Sequence, residues 1–292
     1  MKKTQQLRKL LEAEDPLIMP GAFDALSGIL IQRAGFKAIQ ATGFGIAASW
    51  LGKPDVGLLT FSEMLDQTRR IVQVVEIPVM ADGDTGFGNV VNVIRTIREF
   101  EAAGAAGINL EDQVFPKRCG HMEGKKIVSV EEMVGKIHAA ADARQDPDFI
   151  INARTDAIAV AGIDEAIHRG NAYAEAGADL IFVEAPQSLE QIRRIAKEIK
   201  THVSINLFDG VIGGKTPMVP IHELKKIGIT RVSIPVGVVF AAVKGMEQYL
   251  EALFDHGTLT DRPDLVVSFD HWKELIGLQE IRKREENYYK PE

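Results

Sequence analysis

A single cysteine lies among positive charges within residues 111–121. Cys119 directly follows Lys117 and Arg118, and His121 comes two residues later. Neighbouring cations favour the thiolate, so the sequence predicts a Cys119 pKa below the ~8.5 of a free cysteine. Such a group could give or take a proton near neutral pH. A buried structural cysteine and a zinc ligand are the alternatives, although Cys119 and His121 supply too few ligands for zinc.

Two acidic residues have the spacing of a metal site. Asp82 and Asp84 flank a glycine and directly follow an apolar run. Oxygen ligands with one or two direct carboxylates and several waters are typical of Mg²⁺, with Mn²⁺ as the alternative cation. Glu111, Asp112 and Asp55 could complete the ligand shell through water, and Asp55 could equally be a turn residue.

Two further stretches could bind anions. Arg154 follows another apolar run, where its guanidinium could hold a substrate carboxylate with two hydrogen bonds or pair with a nearby acid. Small residues in the loop around Thr42, Gly43 and Phe44 allow successive backbone amides to face an anion, and a plain flexible turn is the alternative. The sequence therefore offers a metal site with anion-binding groups around it.

The elements that must position these residues alternate along the chain. Short β-rich runs alternate with amphipathic helical patterns, and eight such runs are present. The predicted strands are Leu17–Met19, Ala38–Ala41, Pro78–Ala81, Gly107–Leu110, Phe149–Ala153, Leu180–Val183, Val203–Asn206 and Arg231–Pro235. This order favours an α/β fold of the (β/α)8 TIM-barrel type over an open doubly wound sheet.

The helical patterns complete the domain organisation. The principal predicted helices are Phe61–Val75, Val90–Ala103, Val130–Arg144, Asp164–Ala176, Leu189–Lys200, Val236–His256 and Trp272–Tyr289, and glycines at 35, 104, 177 and 228 are predicted to end helices. We expect one barrel domain over residues 1–292, with a mobile lid at residues 112–128. Residues 257–292 are expected to form a C-terminal helical extension that packs on a neighbouring subunit.

Composition and charge exclude several classes of protein. The chain has 292 residues, of which 46% are hydrophobic and 26% charged, a composition that excludes disordered and fibrous proteins. A formal net charge of −7 argues against nucleic acid or an anionic membrane as partner. The polar N-terminal residues do not resemble a secretion signal, and no apolar stretch approaches the ~20 residues of a membrane span. We therefore expect a cytoplasmic protein whose substrate is a small molecule.

A barrel places chemistry at the carboxyl ends of its strands, where this sequence has polar residues. Glu184 follows the sixth predicted strand and Asn206 ends the seventh. A metal beside an anion pocket and a mobile proton donor suits chemistry that passes through an enolate or aci-carboxylate. The lid would bring Cys119 to the substrate on closing. These residues predict a Mg²⁺-dependent lyase that acts on a small dicarboxylate.

Residues 117–121, Lys-Arg-Cys-Gly-His, resemble a signature of the isocitrate lyase and phosphoenolpyruvate mutase superfamily. Other stretches across most of the chain resemble its methylisocitrate lyase branch. They are residues 20–27 (PGAFDALS), 82–88 (DGDTGFG), 111–113 (EDQ) and 153–157 (ARTDA). The resemblance implies a (β/α)8 barrel and a homotetramer in which a C-terminal helix is exchanged between subunits.

The resemblance also implies roles for individual residues. Mg²⁺ would be held by Asp82 and, through water, by Asp55, Asp84 and Glu111. The implied catalytic residues are Cys119, Arg154 and His121, with Cys119 as the acid that protonates the departing carbanion. The implied substrate-binding residues are Thr42, Gly43, Phe44, Arg154, Glu184, Asn206 and Pro235. Because a low pKa would deprive Cys119 of its proton, we expect Lys117, Arg118 and His121 mainly to position the closed lid on the anionic substrate.

The implied reaction is a retro-Claisen or aldol-type cleavage of a 2-hydroxy dicarboxylate or tricarboxylate, with release of an α-keto acid such as pyruvate. Two departures from the methylisocitrate lyase pattern bear on the substrate. Phe240 stands where that branch has an arginine for an extra carboxylate, and residues 206–210 are closer to dimethylmalate lyase and petal-death-type members. We therefore expect a 2-alkylmalate or 2,3-dimethylmalate rather than methylisocitrate.

Two other functions are alternatives. Within the superfamily, phosphorus–carbon chemistry of the carboxyphosphonoenolpyruvate or phosphoenolpyruvate mutase kind is possible, although Cys119 argues against a true phosphonopyruvate mutase. A noncatalytic barrel that binds metal and carboxylate is the alternative from another class. Replacing Cys119 by Ser separates an enzyme, which would lose turnover, from a binding module, which has none to lose.

Overall fold

The structure is a computed structural model that describes residues 1–208 and 210–289. Asp209, within the seventh-strand motif, and the last three residues of the expected C-terminal extension lie outside the described residues. The chain divides into two compact units, residues 1–239 and residues 240–292. The first unit contains all of the predicted catalytic, substrate-binding and metal-binding residues.

The first unit is a closed barrel of parallel strands. Its described residues form eight strands that follow one another around the barrel in sequence order, and β1 pairs with β8 to close it. The strands are β1 (Leu17–Ala22), β2 (Ile39–Ala41), β3 (Val79–Asp82), β4 (Gly107–Glu111), β5 (Ile150–Thr155), β6 (Leu180–Val183), β7 (His202–Asn206) and β8 (Arg231–Ile234). Each overlaps one predicted strand, so the (β/α)8 prediction is confirmed. Apolar runs form these strands because the sheet is covered on both faces.

Helices flank the strands of the barrel. In the first unit they are α1 (Lys3–Leu11), α2 (Ala25–Arg33), α3 (Gly43–Ile46), α4 (Phe61–Val74), α5 (Val90–Ala102), α6 (Val130–Ala143), α7 (Ile158–Ala161), α8 (Ile163–Glu175), α9 (Leu189–Glu198) and α10 (Ile221–Ile227), with a π-helical turn at Ala47–Leu51. The division between the units falls within α11 (Gly237–His256). The second unit also contains a 3₁₀ turn at Pro263–Leu265, α12 (Phe269–Leu275) and α13 (Leu278–Tyr288).

Local sequence explains where several helices begin and end. At the start of α4, the Thr60 side chain accepts from Glu63 N–H, and the Glu63 carboxylate accepts from Thr60 N–H (2.8 Å). The glycines predicted to end helices are all in the left-handed region, with φ between 90° and 106°. They are Gly35, Gly104, Gly177 and Gly228. These predicted helix ends are therefore confirmed.

Helix α1 covers the amino-terminal end of the barrel. Leu7 and Leu11 are buried in one apolar cluster with Met19 of β1, Met80 of β3 and Leu180 of β6. Burial of these side chains fixes α1 against the strands through the hydrophobic effect. The candidate site lies at the opposite end of the barrel, where the carboxyl ends of the strands meet.

The second unit has large apolar side chains on its surface. Leu250, Phe254 and Phe269 are 60%, 90% and 74% exposed. These side chains do not mark a membrane span, because no helix in the described part of the chain has both the length and the apolar composition to cross a bilayer. An exposed apolar surface of this kind is typical of a protein–protein contact.

Candidate active site

The end of β3 brings two acids and a backbone amide together. The Asp82 carboxylate accepts hydrogen bonds from Gly43 N–H (3.0 Å) and from Asp84 N–H (3.1 Å). Asp84 has a φ of 45°, a left-handed conformation that Asp tolerates better than most residues. A Cβ atom on residue 43 would lie 2.6 Å from Asp82 Oδ2, so any larger residue there would displace the Asp82 carboxylate.

The ammonium group of Lys117 lies between two of the predicted metal ligands. Lys117 Nζ is 2.6 Å from Asp55 Oδ1 and 2.8 Å from Asp84 Oδ1, and its side chain is buried. Burial raises the pKa of Asp84 to about 7, against the opposing effect of Lys117. Lys117 therefore ties the lid to the acids of the predicted metal site.

Glu111 and Arg154 face each other across neighbouring strands. Arg154 Nη1 on β5 is 3.1 Å from Glu111 Oε2 at the end of β4. Burial raises the pKa of Glu111 well above its ordinary value, although Arg154 and Lys117 oppose the shift. Within the described residues, the buried Glu111 Oε1 has no hydrogen-bond partner. One oxygen of Glu111 is therefore buried at the mouth without a protein partner among the described residues.

A second lysine of the lid is buried against the barrel. Lys125 Nζ donates hydrogen bonds to Gly120 O (2.5 Å) and to Asp156 Oδ1 (2.7 Å). Asp156 also accepts hydrogen bonds from Arg154 Nε and Nη2, at 2.9 Å and 3.1 Å. Burial alone would raise the pKa of Asp156, but Arg154 and Lys125 hold it below its ordinary value. One carboxylate therefore orients both Arg154 and the lid.

The base of the lid is held together by hydrogen bonds. Val114 N–H donates to Lys126 O and Val128 N–H donates to Asp112 O, each at 2.8 Å. The Gln113 side chain donates to Arg118 O (2.8 Å) and accepts from Arg118 N–H (2.9 Å). These contacts place residues 112–128 over the barrel mouth. The mobility of this segment stays a prediction.

His121 joins the lid to the sixth and seventh strands. Its Nδ1 accepts from Lys215 N–H (2.9 Å), so the proton of the neutral ring is on Nε2, which lies 3.2 Å from Glu184 Oε1. The ring packs on Phe208 with a centroid distance of 3.7 Å. Asn206 Nδ2 donates to Glu184 Oε2 (3.3 Å). Burial alone would raise the pKa of Glu184, but the positive charge of Arg154 holds it below its ordinary value.

Cys119 is partly buried at the mouth, where its N–H donates to Asp55 O (3.0 Å). Burial raises the pKa of Cys119 to about 11. A backbone hydrogen bond from His121 and the charge of Arg154 act against this shift, and the Asp55 and Glu184 carboxylates add to it. The prediction of a lowered pKa is therefore wrong. The reason is that Lys117 pairs with the acids described above and Arg118 Nη1 donates to Glu123 O (3.2 Å). Both cations are engaged away from the thiol, which keeps its proton at neutral pH.

Asp112 does not join the metal site. Its Oδ2 accepts hydrogen bonds from Thr155 Oγ1 (2.7 Å) and Tyr173 OH (2.8 Å), and Arg169 Nη1 lies 3.2 Å away. The expectation that Asp112 completes the metal shell through water is wrong. Successive residues at a strand end point to opposite faces, so Glu111 faces the mouth and Asp112 faces the helices. Asp112 is a buried structural carboxylate.

A cavity of about 50 Å³ lies among these groups. All thirteen predicted site residues are within the described ranges, and ten of them line the cavity: Thr42, Phe44, Asp55, Asp82, Cys119, His121, Arg154, Glu184, Asn206 and Pro235. Gly43, Asp84 and Glu111 instead contact Asp82 or Arg154. Apolar side chains of Phe182, Phe208 and Val236 also line it.

Sequence reasoning missed several residues of this region. Gln40 on β2 and Asn109 on β4 line the cavity, and Lys125 and Asp156 fix the lid. A polar residue inside an otherwise apolar strand, as at positions 40 and 109, is the signal that could have identified the cavity floor. The pairing of Lys125 with Asp156 joins residues 31 positions apart and leaves no local pattern.

The acids fit a hydrated divalent cation. Asp55, Asp82, Asp84 and Glu111 offer only oxygen donors, the ligand type that Mg²⁺ prefers. Among residues 1–208 and 210–289, no group of three His, Cys, Asp or Glu side chains is arranged to hold a metal ion by itself. Mg²⁺ usually takes one or two protein carboxylates and keeps several waters, which matches this arrangement. The buried, unpartnered Oε1 of Glu111 is an oxygen donor that such a cation or one of its waters would meet.

A sequence model of the family described as phosphoenolpyruvate phosphomutase matches residues 7–254. The chain belongs to the phosphoenolpyruvate phosphomutase family. Among its relatives, 2,3-dimethylmalate lyase from Eubacterium barkeri is 48% identical over 288 residues, which is 99% of each chain. The 2-methylisocitrate lyase of Aeropyrum pernix is 42% identical over 279 residues, 96% of this chain and 89% of the relative.

Solved structures agree with the family assignment. A crystal structure of 2,3-dimethylmalate lyase, a member of the PEP mutase/isocitrate lyase superfamily, has a TM-score of 0.91 at 32% identity and covers 99% of this chain and 96% of that one. Phosphonopyruvate hydrolase in complex with oxalate and Mg²⁺ has a TM-score of 0.90 at 33% identity, with 99% and 100% covered. The superfamily predicted from the sequence is therefore confirmed.

Proposed function

We propose that this protein is a Mg²⁺-dependent carbon–carbon lyase. Its substrate would be a 2-hydroxy dicarboxylate of the 2-alkylmalate or 2,3-dimethylmalate type, and its products a pyruvate-like keto acid and a second carboxylate. The observation that carries the proposal is the cavity itself, because it combines acids, a guanidinium, a protonated thiol and an apolar wall at one end of the barrel. The lyase names of the two relatives described above support it.

The acids of the mouth would hold the cation. Asp82 is the direct ligand in this proposal, with Asp55, Asp84 and Glu111 acting through water. When bound, Mg²⁺ supplies positive charge beside the oxygens on which negative charge develops during cleavage. The Gly43 amide fixes the Asp82 carboxylate for this role through their 3.0 Å hydrogen bond.

Arg154 would bind one substrate carboxylate. Among the described residues, Asp156 and Glu111 engage three of its five N–H groups, which leaves one on Nη1 and one on Nη2. Two remaining donors on a planar guanidinium suit a carboxylate. The second substrate carboxylate would face Thr42, Gly43 and Phe44, where α3 begins.

The lining of the cavity favours two carboxylates over three. In the described part of the chain, Arg154 is the only guanidinium that lines it. Phe182, Phe208 and Val236 present apolar surface instead. A tricarboxylate would place a third charge against such surface at a large cost in desolvation. Alkyl substituents would be accepted there, which supports an alkylmalate.

Cys119 would supply the proton that completes the reaction. Cleavage would transfer the hydroxyl proton to a carboxylate of the mouth and move the O–H electron pair into the carbonyl of the keto acid. The electrons of the broken C–C bond would stay on the departing carboxylate fragment. Cys119 Sγ–H then protonates that carbon. Its raised pKa keeps the proton on sulfur until a carbanion is present. His121 and Lys125 hold the lid over the cavity and exclude water.

Steady-state kinetics of the purified protein with Mg²⁺ tests the proposal. We expect keto-acid release from a 2-alkylmalate or 2,3-dimethylmalate with a higher kcat/KM than from methylisocitrate; the keto acid is pyruvate when the 2-substituent is methyl. Cys119→Ser should lose turnover and keep affinity for oxalate. Removal of divalent cations by EDTA should abolish activity, and Mg²⁺ or Mn²⁺ should restore it. Faster cleavage of methylisocitrate would overturn the substrate preference, and no cleavage of any of these acids would overturn the lyase proposal.

Phosphorus–carbon chemistry is the second candidate, because the matching family model is that of a phosphomutase. The partly buried Cys119 thiol at the mouth favours cleavage, since phosphoryl transfer needs no proton on carbon. Incubation with phosphoenolpyruvate followed by phosphorus NMR separates the two reactions. A phosphonate signal would identify the mutase.

We also propose that the protein is a homotetramer of the cytoplasm, with C-terminal helices exchanged between subunits. The exposed apolar side chains of the second unit, such as Phe254 and Phe269, support a contact with a second copy. A free catalytic thiol supports a reducing compartment. Light scattering after gel filtration should give four times the 32.1 kDa mass of the chain. A monomer at assay concentration would exclude this assembly.

A further inference from the structure

Arg231, the first residue of β8, is completely buried inside the barrel. Its Nη1 donates to Ser204 Oγ (2.7 Å), its Nη2 donates to Gln40 Oε1, and its Nε lies 3.0 Å from Met19 Sδ. None of the carboxylates in the described part of the chain forms an ion pair with it. Arg231 is therefore a buried cation that neutral groups alone surround.

This arrangement is unusual because an unpaired charge in a protein interior is strongly disfavoured. Burial lowers the pKa of Arg231 to about 9, which still leaves the guanidinium protonated at neutral pH. A methionine or leucine would fill the same space without the cost of desolvating a charge. The charge therefore needs a reason other than the stability of the barrel.

The contacts of Arg231 lead to the floor of the cavity. Gln40 Oε1 accepts hydrogen bonds both from Arg231 and from Asn109 Nδ2 (3.1 Å). Gln40 and Asn109 both line the cavity. The guanidinium thus lies one side chain away from the site, on the side opposite the acidic mouth. A ligand in the cavity would have the metal-binding acids on one side and this cation on the other.

We propose that Arg231 is a positioning residue whose unneutralised charge favours dianionic ligands in the cavity and whose hydrogen bond fixes Gln40 at its floor. The inference rests on the proposed function, because that function requires a dicarboxylate to bind beside several acids. Arg231 does not touch the substrate. It acts through the electrostatic potential inside the barrel and through Gln40.

The expected effect follows from distance and charge. Arg231 precedes Ile234, the last residue of β8, by three positions, or about 10 Å at the usual rise of a strand. At an effective dielectric constant of ~20, one positive charge at this distance changes the affinity for a ligand on the order of tenfold per ligand charge. A dianion should therefore lose about tenfold more affinity than a monoanion when the charge is neutralised.

Met19 allows this charge to be neutralised without removing the arginine. Its sulfur contacts Arg231 Nε, so Met19→Glu would place a carboxylate beside the guanidinium, and Met19→Gln is the uncharged control of the same size. Oxalate and oxamate are matched probes, because they differ by one charge and little in shape. Their dissociation constants would be measured by calorimetry with Mg²⁺ present.

We expect Met19→Glu to reduce the ratio of oxalate to oxamate affinity by about tenfold relative to Met19→Gln. Equal ratios in the two variants would overturn the inference. If Met19→Glu does not fold, Arg231→Gln compared with Arg231→Lys applies the same criterion, because Lys retains the charge. Failure of the wild-type protein to bind oxalate would instead contradict the proposed function, so the two failures are distinguishable.

Discussion

Lys125 offers a direct measure of how much the lid contributes to turnover. Substitution of Lys125 by Met keeps a long buried side chain and removes the hydrogen bonds to Gly120 O and Asp156 Oδ1. Asp156 keeps both of its bonds from Arg154, so the barrel should remain folded. The substitution therefore acts on the closed lid more than on the rest of the protein.

The size of the effect can be worked out from these two bonds. A hydrogen bond to a charged group contributes ~1.5–3 kcal/mol, and one between a charged donor and a carbonyl falls in a similar or lower range. Burial of Met carries no cost of desolvating a charge, which offsets part of the loss of the two bonds. The closed lid should therefore lose roughly 3 kcal/mol of stability. Since ~1.4 kcal/mol corresponds to a factor of ten, kcat/KM should fall about 10²-fold if the lid must close for proton donation.

Pyruvate release under steady-state conditions, with a coupled dehydrogenase, measures this effect. Lys126→Met is the matched control, because Lys126 is the exposed neighbour of the buried Lys125. Thermal unfolding should give similar midpoints for both variants. If Lys125→Met retains the kcat/KM of Lys126→Met, the lid does not depend on this anchor and the reasoning fails.

Three further predictions concern the thiol, the Asp82 contact and the buried carboxylate. Because burial raises the pKa of Cys119 to about 11, its alkylation by iodoacetamide at pH 8 should be roughly 10²-fold slower than that of a free cysteine and should rise about tenfold per pH unit up to pH ~11. Gly43→Ala should lower kcat/KM about tenfold, because the new Cβ would lie 2.6 Å from Asp82 Oδ2 and displace this carboxylate. Tyr173→Phe removes a 2.8 Å hydrogen bond to buried Asp112, so urea unfolding should report a loss of about 1–3 kcal/mol.

Each of these measurements has a control. Alkylation of Cys119 with a midpoint below pH 9 would show that the thiol is not protected by burial. Gly245→Ala adds a methyl group in open space within a helix, so it should leave activity unchanged and contrast with Gly43→Ala. Tyr288 is 93% exposed, and Tyr288→Phe should leave the unfolding free energy unchanged. Equal stability of the two Tyr→Phe variants would refute a structural role for Asp112.

The strand order could be predicted from the sequence because buried parallel strands leave a strong local pattern. Runs such as Leu180–Val183 are apolar without alternation, and glycine ends the preceding helix in several units. The candidate site residues could be predicted because carboxyl ends of strands in a barrel converge. Both inferences use information that lies within a few residues along the chain.

The state of each side chain could not be predicted in the same way. The pKa of Cys119 depends on burial and on where Lys117 points, and Lys117 pairs with Asp84, 33 positions earlier. The sequence predicted the wrong direction for the Cys119 pKa because Lys117 and Arg118, which adjoin Cys119 along the chain, direct their charges to other groups in the structure. The position of Asp112 could have been predicted from the sequence, because successive residues of a strand point to opposite faces and Glu111 faces the mouth.

Asp55 performs two tasks with different parts of the same residue. Its carboxylate pairs with Lys117, whereas its backbone carbonyl accepts the hydrogen bond from Cys119 N–H. Every amino acid has this carbonyl, so a change of side chain at position 55 alters the ionic environment of the mouth without removing the contact that holds the lid cysteine. Evolution can therefore change the charge and the metal-binding properties of position 55 without loss of the backbone contact that positions residue 119.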